Sequence, residues 1–166
     1  TGLHEQQFNN GLRIQAQINY ATDRFLLQDL SSSGIFRALP SQTSTLYLTQ
    51  RFQRGSAYLG VQYIQPLQIG VPQNNFQRMP EIGYAYTSPA FANDILVGRM
   101  QSQFVHFWRE KGFHISRLAL MPEIYAQKLH LGHIVGLRPQ IKFREVIYSH
   151  GPREKKPGWT HESAPY

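Results

Sequence analysis

The chain has no cysteine. No disulfide framework is available to it, and the redox compartment leaves no mark on the sequence. Charge is also scarce: charged residues make up 16% of the 166 positions, against about a quarter in ordinary soluble domains. No apolar run reaches the roughly 18 residues a transmembrane helix needs. That excludes a helical membrane span, but not a membrane barrel, whose lipid-facing residues are only every second one. Thr1-Gly2-Leu3-His4-Glu5 has neither a basic segment nor an apolar one behind it, so no signal peptide is expected there, and the chain reads as mature or as cut from something longer. Helical periodicity never lasts beyond a turn. No nucleophile elbow, P-loop, dinucleotide fingerprint or metalloprotease motif occurs, so an enzyme is not expected and no cofactor is implied.

What is present is aromatic and polar. Aromatics are 13% and hydrophobic residues 41% of the sequence, and the remaining polarity sits in Gln, Ser, Thr, Asn, Tyr and Gly. That is the usage of β-rich walls with one face in lipid and the other in water. The formal net charge is +7, which points to nucleic acid, an anionic surface or an anionic ligand until the cations are placed along the chain.

The chain alternates with period two over long stretches. Leu12, Ile14, Ala16, Ile18 and Tyr20 fall on one face, with Arg13, Gln15, Gln17 and Asn19 on the other. The same pattern predicts strands over about 11–20, 43–53, 56–65, 79–88, 95–108, 113–127 and 133–149, with 1–10 uninformative and 150–166 a loop or tail. Arg54-Gly55 reads as a tight hairpin turn. Connections at about 21–41 and 66–77 are long, whereas those at Arg54-Gly55, 88–94 and 128–132 are short. The turn Arg109-Glu110-Lys111-Gly112, edged by Phe104, Phe107, Trp108 and Phe113, is assigned to the long-loop side. The fold class expected is all-β: an antiparallel up-and-down meander, part of a large transmembrane outer-membrane β-barrel.

The cations are spread along strands instead of gathered in one patch, which argues against a nucleic-acid partner. Arg13, Arg51, Arg99, Arg117, Arg138, Lys142 and Arg144 fall mostly on the polar side of the alternation. If the apolar side meets lipid, they line an interior, where guanidinium binds phosphate and carboxylate well. The other reading is that they pair with Glu81, Glu123 and Glu145, or are simply solvated. Tyr20, Phe52, Tyr63, Tyr86, Phe107, Trp108, Phe113, Tyr125 and Tyr148 lie near strand ends and are expected as an interfacial girdle; a soluble sandwich core would use the same residues. His106 with His114, and His130 with His133, are close enough to raise a metal site, but no carboxylate stands at ligand spacing and none is expected. A short repeat, Met79-Pro80-Glu81-Ile82 and Met121-Pro122-Glu123-Ile124, echoed by Arg138-Pro139-Gln140-Ile141, implies bulges or strand ends, because proline removes a ladder donor.

Arg78-Met79-Pro80-Glu81-Ile82, the stretch Gln103 to Arg109, Gly112-Phe113-His114 and Leu118 to Ile124 together resemble the middle of the barrel domain of the LptD family, the lipopolysaccharide-assembly or organic solvent tolerance proteins. Asp23-Arg24-Phe25 with Asp29-Leu30 is similar to a family loop of aromatic and acidic residues. The resemblance covers about residues 12–149. It implies a very large barrel in the outer membrane of a Gram-negative bacterium, with lipopolysaccharide as cargo, an LptE-like plug lipoprotein and periplasmic bridge proteins as partners, and this chain as a wall segment. Two alternatives stay open: a small soluble β-barrel holding a hydrophobic or anionic ligand, and a generic porin fragment. A soluble barrel turns its apolar face inward; the membrane reading exposes Leu12, Ile14, Ala57, Leu59, Val61, Val135 and Leu137 in a belt.

Overall fold

Period-two alternation with β-branched and aromatic residues leaves each strand one apolar and one polar edge, and pairing neighbours in register joins these edges into two continuous faces. The computed structural model describes residues 2–22, 41–67, 75–109, 114–127, 129–131, 135–150 and 159–165. It contains β1 (Gly2–Gln7), β2 (Leu12–Ile18), β3 (Ser41–Phe52), β4 (Gly55–Pro66), β5 (Gln77–Thr87), β6 (Leu96–Trp108), β7 (Ile115–Ala126), β8 (Leu129–Leu131), β9 (Val135–Leu137), β10 (Gln140–His150) and β11 (Trp159–Pro165). Nine of these form one antiparallel sheet, in the order β1-β2-β3-β4-β5-β6-β7-β10-β11, and β8 pairs only with β9. Every neighbour in the large sheet is the next of its strands along the chain, so the topology is a meander, open at β1 and β11.

Several expectations are corrected. Residues 2–7 form a strand, registered from Gly2↔Ile18 to Gln7↔Arg13. The region 150–166 is not merely a tail, because Trp159–Pro165 pairs with β10 from Phe143↔Pro165 to Ser149↔Trp159. Both strands lack apolar alternation; they form because a neighbouring strand offers unpaired backbone donors and acceptors. The single strand expected over 133–149 is broken at Arg138-Pro139, where the β8–β9 hairpin ends and β10 begins. The connection from β7 to β10 therefore spans 127–139 and is not short. Ala126 and Gln140, where it leaves and rejoins the sheet, are at the same end of the sheet as the 53–54 turn, whereas Trp108 and Ile115 are at the other end. The turn residues 110–113, Phe25-Leu26-Leu27 and His133 lie outside the described residues.

The two faces follow from the register. Leu48↔Leu59, Leu59↔Ile82, Ile82↔Phe104 and Phe104↔Leu118 make one continuous apolar row across five strands. Its residues are not a core: Leu59 is 42% exposed and Ile82 46%, and Ile141, elsewhere on the same face, is 78% exposed. The buried residues Val97, Val105, Ala119, Val146 and Glu81 stand on the opposite, polar face. The large aliphatics of one face are therefore open, while the arginine-bearing face encloses small aliphatics and the Glu81 carboxylate, the reverse of a water-soluble domain that hides its large aliphatic face.

Side-chain amides complete the sheet where backbone pairing runs out. Gln77 Oε1 accepts from the Ile64 N–H at 2.5 Å, and Gln77 Nε2 donates to the Ile64 carbonyl at 2.9 Å. Gln65 does the same for Ala21, accepting at 3.0 Å and donating at 2.8 Å. Ser44 Oγ accepts from the Asn19 N–H and donates to the Asn19 carbonyl. A buried backbone group without a partner is costly anywhere and more so in hydrocarbon; Gln65 and Gln77 are both buried. At the opposite end, Ala92, Asn93 and Asp94 all take positive φ in the β5–β6 turn, held by Phe91 and Leu96 bonding each other through both N–H groups. In the β1–β2 turn Gly11 also takes positive φ, 83°, which glycine adopts without a Cβ penalty.

Candidate functional site: the polar face

The repeat motif organises this face. Within β5, the register shifts between Arg78 and Glu81 against β6, and between Gly60 and Gln62 against β4. Residues three apart in a regular strand point to opposite faces. The bulge brings Arg78 and Glu81 to the same one, where Arg78 Nη1 lies 3.9 Å from Glu81 Oε2. The second copy in β7 is regular: Glu123 stands directly opposite Arg99 and Lys142. Both copies thus put their glutamate among cations, but only the first bulges. Glu81 and Glu123 occupy separate clusters and form no carboxylate pair.

Around Glu81 the structure builds a staple across four strands. Glu81 Oε1 accepts from Tyr58 Oη at 2.8 Å and from Gln103 Nε2 at 2.9 Å. Arg117 Nη2 donates to Gln103 Oε1 at 2.7 Å. The guanidinium groups of Arg78 and Arg117 stand 5.9 and 5.7 Å from the Phe107 ring centre. Two glycines make room for tyrosines beside it. A Cβ on Gly83 would meet the Tyr58 ring at 1.9 Å, and one on Gly60 the Tyr47 ring at 2.4 Å. Each tyrosine lies flat over the glycine directly opposite it, Tyr47↔Gly60 and Tyr58↔Gly83. Tyr58, Gln103 and the two glycines escaped the sequence reading. Their signal was glycine on the polar side of one strand facing tyrosine on the next, which requires the register to be seen.

The second cluster is looser. Arg99 Nη1 is 4.0 Å and Lys142 Nζ 3.6 Å from the Glu123 carboxylate. With Gln101, Met121 and Arg144 they line a cavity of about 290 Å³.

Among the expected basic residues, the register places Arg13, Arg51, Arg99, Arg117, Lys142 and Arg144 on this one face. Arg13 pairs with Glu5 at 2.7 Å. Arg138 follows β9, with its guanidinium 4.3 Å from the Tyr125 ring centre. Glu145 is corrected as a counter-ion, because it pairs in register with Leu120 on the apolar face.

The expected aromatic girdle divides in two. Phe52, Tyr63, Tyr86 and Trp108 stand on the apolar face by register and are exposed, as is Tyr20 just beyond β2. Phe107, Tyr125 and Tyr148 stand on the polar face, opposite Ile115, Val97 and Arg117, so they are corrected as lipid-facing members. Phe113 lies outside the described residues. Phe52 and Tyr86 share a row at one end, and Tyr63 and Trp108 lie towards the other. The eight residues from the Phe52–Gly55–Tyr86 row to Tyr63 cover about 27 Å at roughly 3.3–3.4 Å per residue, or about 20 Å along a membrane normal at a tilt of about 40°. That approaches the roughly 25 Å apolar band of outer-membrane barrels. Of the belt residues, Leu59 and Leu137 are exposed, and Leu12, Ile14, Ala57 and Val61 are half-buried. Val135 is described only in its backbone.

His106 and His114 do not converge on a metal. Their rings stack at 5.8 Å, His114 also stacks on Trp108 at 6.4 Å, and His106 Nδ1 lies 2.8 Å from Ser116 Oγ. Among the described residues no group of three His, Cys, Asp or Glu is placed to hold an ion.

An antiparallel meander with exposed aliphatics bounded by aromatic rows, and with arginines and the buried Glu81 on its other face, is the wall of an outer-membrane type of β-barrel. The profile of the family LptD, LPS transport system D, matches residues 2–149. The chain belongs to that family, and with it to the outer-membrane machinery of lipopolysaccharide transport. No curated protein matches it.

Proposed function

We propose that this chain forms part of the wall of a lipopolysaccharide-export barrel in the outer membrane of a Gram-negative bacterium. The apolar face meets lipid and the polar face borders the aqueous passage. Cargo moves past the cations without any bond being made or broken. An LptE-like plug lipoprotein occupies the space in front of the polar face, and periplasmic bridge proteins deliver the glycolipid. The observation that carries this reading is the contrast between the faces: Leu59 and Ile82 on the aliphatic face are open, while Glu81 on the arginine-bearing face is 6% exposed. The soluble-barrel alternative requires the reverse, with aliphatics enclosed and arginines outside. The generic-porin alternative predicts no preference for glycolipid, which the family membership opposes.

This stretch contributes no cysteine of its own, so each cysteine introduced into it is read against the labelling of the unsubstituted intact protein. Single cysteines at Leu59 and Ile82, and at Thr49 and Gln101, are introduced into the intact protein in outer membranes and treated with a membrane-impermeant maleimide. Labelling of positions 49 and 101 with protection of 59 and 82 is the expected result. Equal labelling of both faces sinks the membrane assignment. Crosslinking from the polar-face positions to lipopolysaccharide then separates export from a generic pore.

A further inference from the structure

We propose that the Arg99–Lys142–Arg144 cavity is a transient binding station for a phosphomonoester group, and that Glu123 is its built-in competitor. The proposal rests on the export reading above and names a site and a chemistry within it. Arg99, Glu123 and Lys142 are directly opposite one another on three adjacent strands, and Arg144 lines the same cavity. Arg99 and Lys142 therefore share a single carboxylate at the edge of this cavity. Its ion pairs, at 4.0 and 3.6 Å, exceed the 2.7–3.2 Å of a formed hydrogen bond. The staple around Glu81, by contrast, closes at 2.7–2.9 Å. Glu81 Oε1 is thus held by two formed hydrogen bonds, whereas Glu123 is held by its two cations at ion-pair distance alone.

Depth orders the groups. The Glu123 side chain is 14% exposed, whereas those of Arg99 and Lys142 are 45% and 43% exposed. An arriving anion reaches the cations before it meets the carboxylate. A phosphate monoester carries up to two charges and three acceptor oxygens, which suits a guanidinium fork and an ammonium together. In a passage, binding strong enough to capture must still be weak enough to release. Glu123 supplies the release: it holds the same two cations when the phosphate leaves, so the cations are never left without a counter-charge.

The test uses the intact protein with its partners in detergent micelles. Three probes are titrated: lipopolysaccharide, enzymatically dephosphorylated lipopolysaccharide, and inorganic phosphate as competitor. Glu123→Gln removes the competitor and is expected to tighten binding of phosphorylated cargo about threefold to tenfold; Lys142→Gln is expected to weaken it by a similar factor. Arg54→Gln, in the β3–β4 turn and outside this face, leaves it unchanged. Dephosphorylated cargo is insensitive to all three, and inorganic phosphate competes weakly. Unchanged or weakened binding in Glu123→Gln, in protein that still folds, overturns the competitor role. Because Lys142 is half exposed, Lys142→Gln tests the station even if Glu123→Gln does not fold. Cargo binding that ignores both variants overturns the station alone, whereas failure of the unaltered protein to bind lipopolysaccharide in any form overturns the export reading with it.

Discussion

Leu59→Arg separates a membrane wall from a water-soluble sheet by magnitude. Leu59 lies four residues from Gly55, in the Phe52–Gly55–Tyr86 row, and four from Tyr63. Four residues advance about 13 Å along the strand, or about 10 Å along the normal at a tilt near 40°. Leu59 therefore sits close to the middle of the apolar band. An arginine at the midplane of the lipid face costs about 2–4 kcal/mol, falling to about 0–1 kcal/mol near the interface. The same substitution at a residue 42% exposed to water stays within about 0.5 kcal/mol. Phe52→Arg, at the end row, controls for depth, and Thr49→Arg, on the polar face beside Tyr58, controls for the added charge. Reversible denaturant unfolding from lipid vesicles reads all three. The expected order of cost is Leu59→Arg well above Phe52→Arg and Thr49→Arg. A Leu59→Arg variant as stable as the unaltered protein, or no costlier than Thr49→Arg, would refute the lipid-facing assignment.

Gly83→Ala places a methyl 1.9 Å from the Tyr58 ring. Displacing that ring breaks its bond to Glu81, and overpacking of this kind costs about 1–3 kcal/mol; Tyr58→Ser in the same chain recovers part of the loss, measured by a double-mutant unfolding cycle. Tyr58→Phe alone removes one of the two donors to the Glu81 Oε1 and lowers stability by about 1–2 kcal/mol in the same assay. Gln77→Leu keeps the side chain's bulk but strips both bonds to Ile64. It leaves a backbone N–H and C=O without those partners at about 1–3 kcal/mol each, and hydrogen exchange at Ile64 accelerates relative to Leu59.

The bulged first repeat and the regular second one show where local pattern stops being informative. Both read Met-Pro-Glu-Ile, and proline alone announces only a lost ladder donor. In β5 the shift occurs against both neighbours; in β7, Pro122 stands opposite Met100 with no break. The choice depends on which strands flank each copy. The same limit explains the aromatic girdle. Phe52, Tyr63, Tyr86 and Trp108 fit the apolar parity of their strands, whereas Phe107, Tyr125 and Tyr148 are near strand ends but one residue out of phase. Nearness to a strand end does not choose the face; parity does.

The sequence by itself determined the β class, the two-faced strands, the segregation of most cations to one face and the family resemblance. All of these are properties of alternation and short motifs, which act within a strand at period two. Tertiary structure alone decided that Gly2–Gln7 and Trp159–Pro165 are strands, that Arg138-Pro139 interrupts the last predicted one, that Glu145 faces away from the arginines, and that Tyr58, Glu81, Gln103 and Arg117 meet while Glu123 joins Arg99 and Lys142. Those outcomes depend on inter-strand register, set by backbone pairing and side-chain packing between segments far apart in the chain, which the alternation within any one strand does not encode.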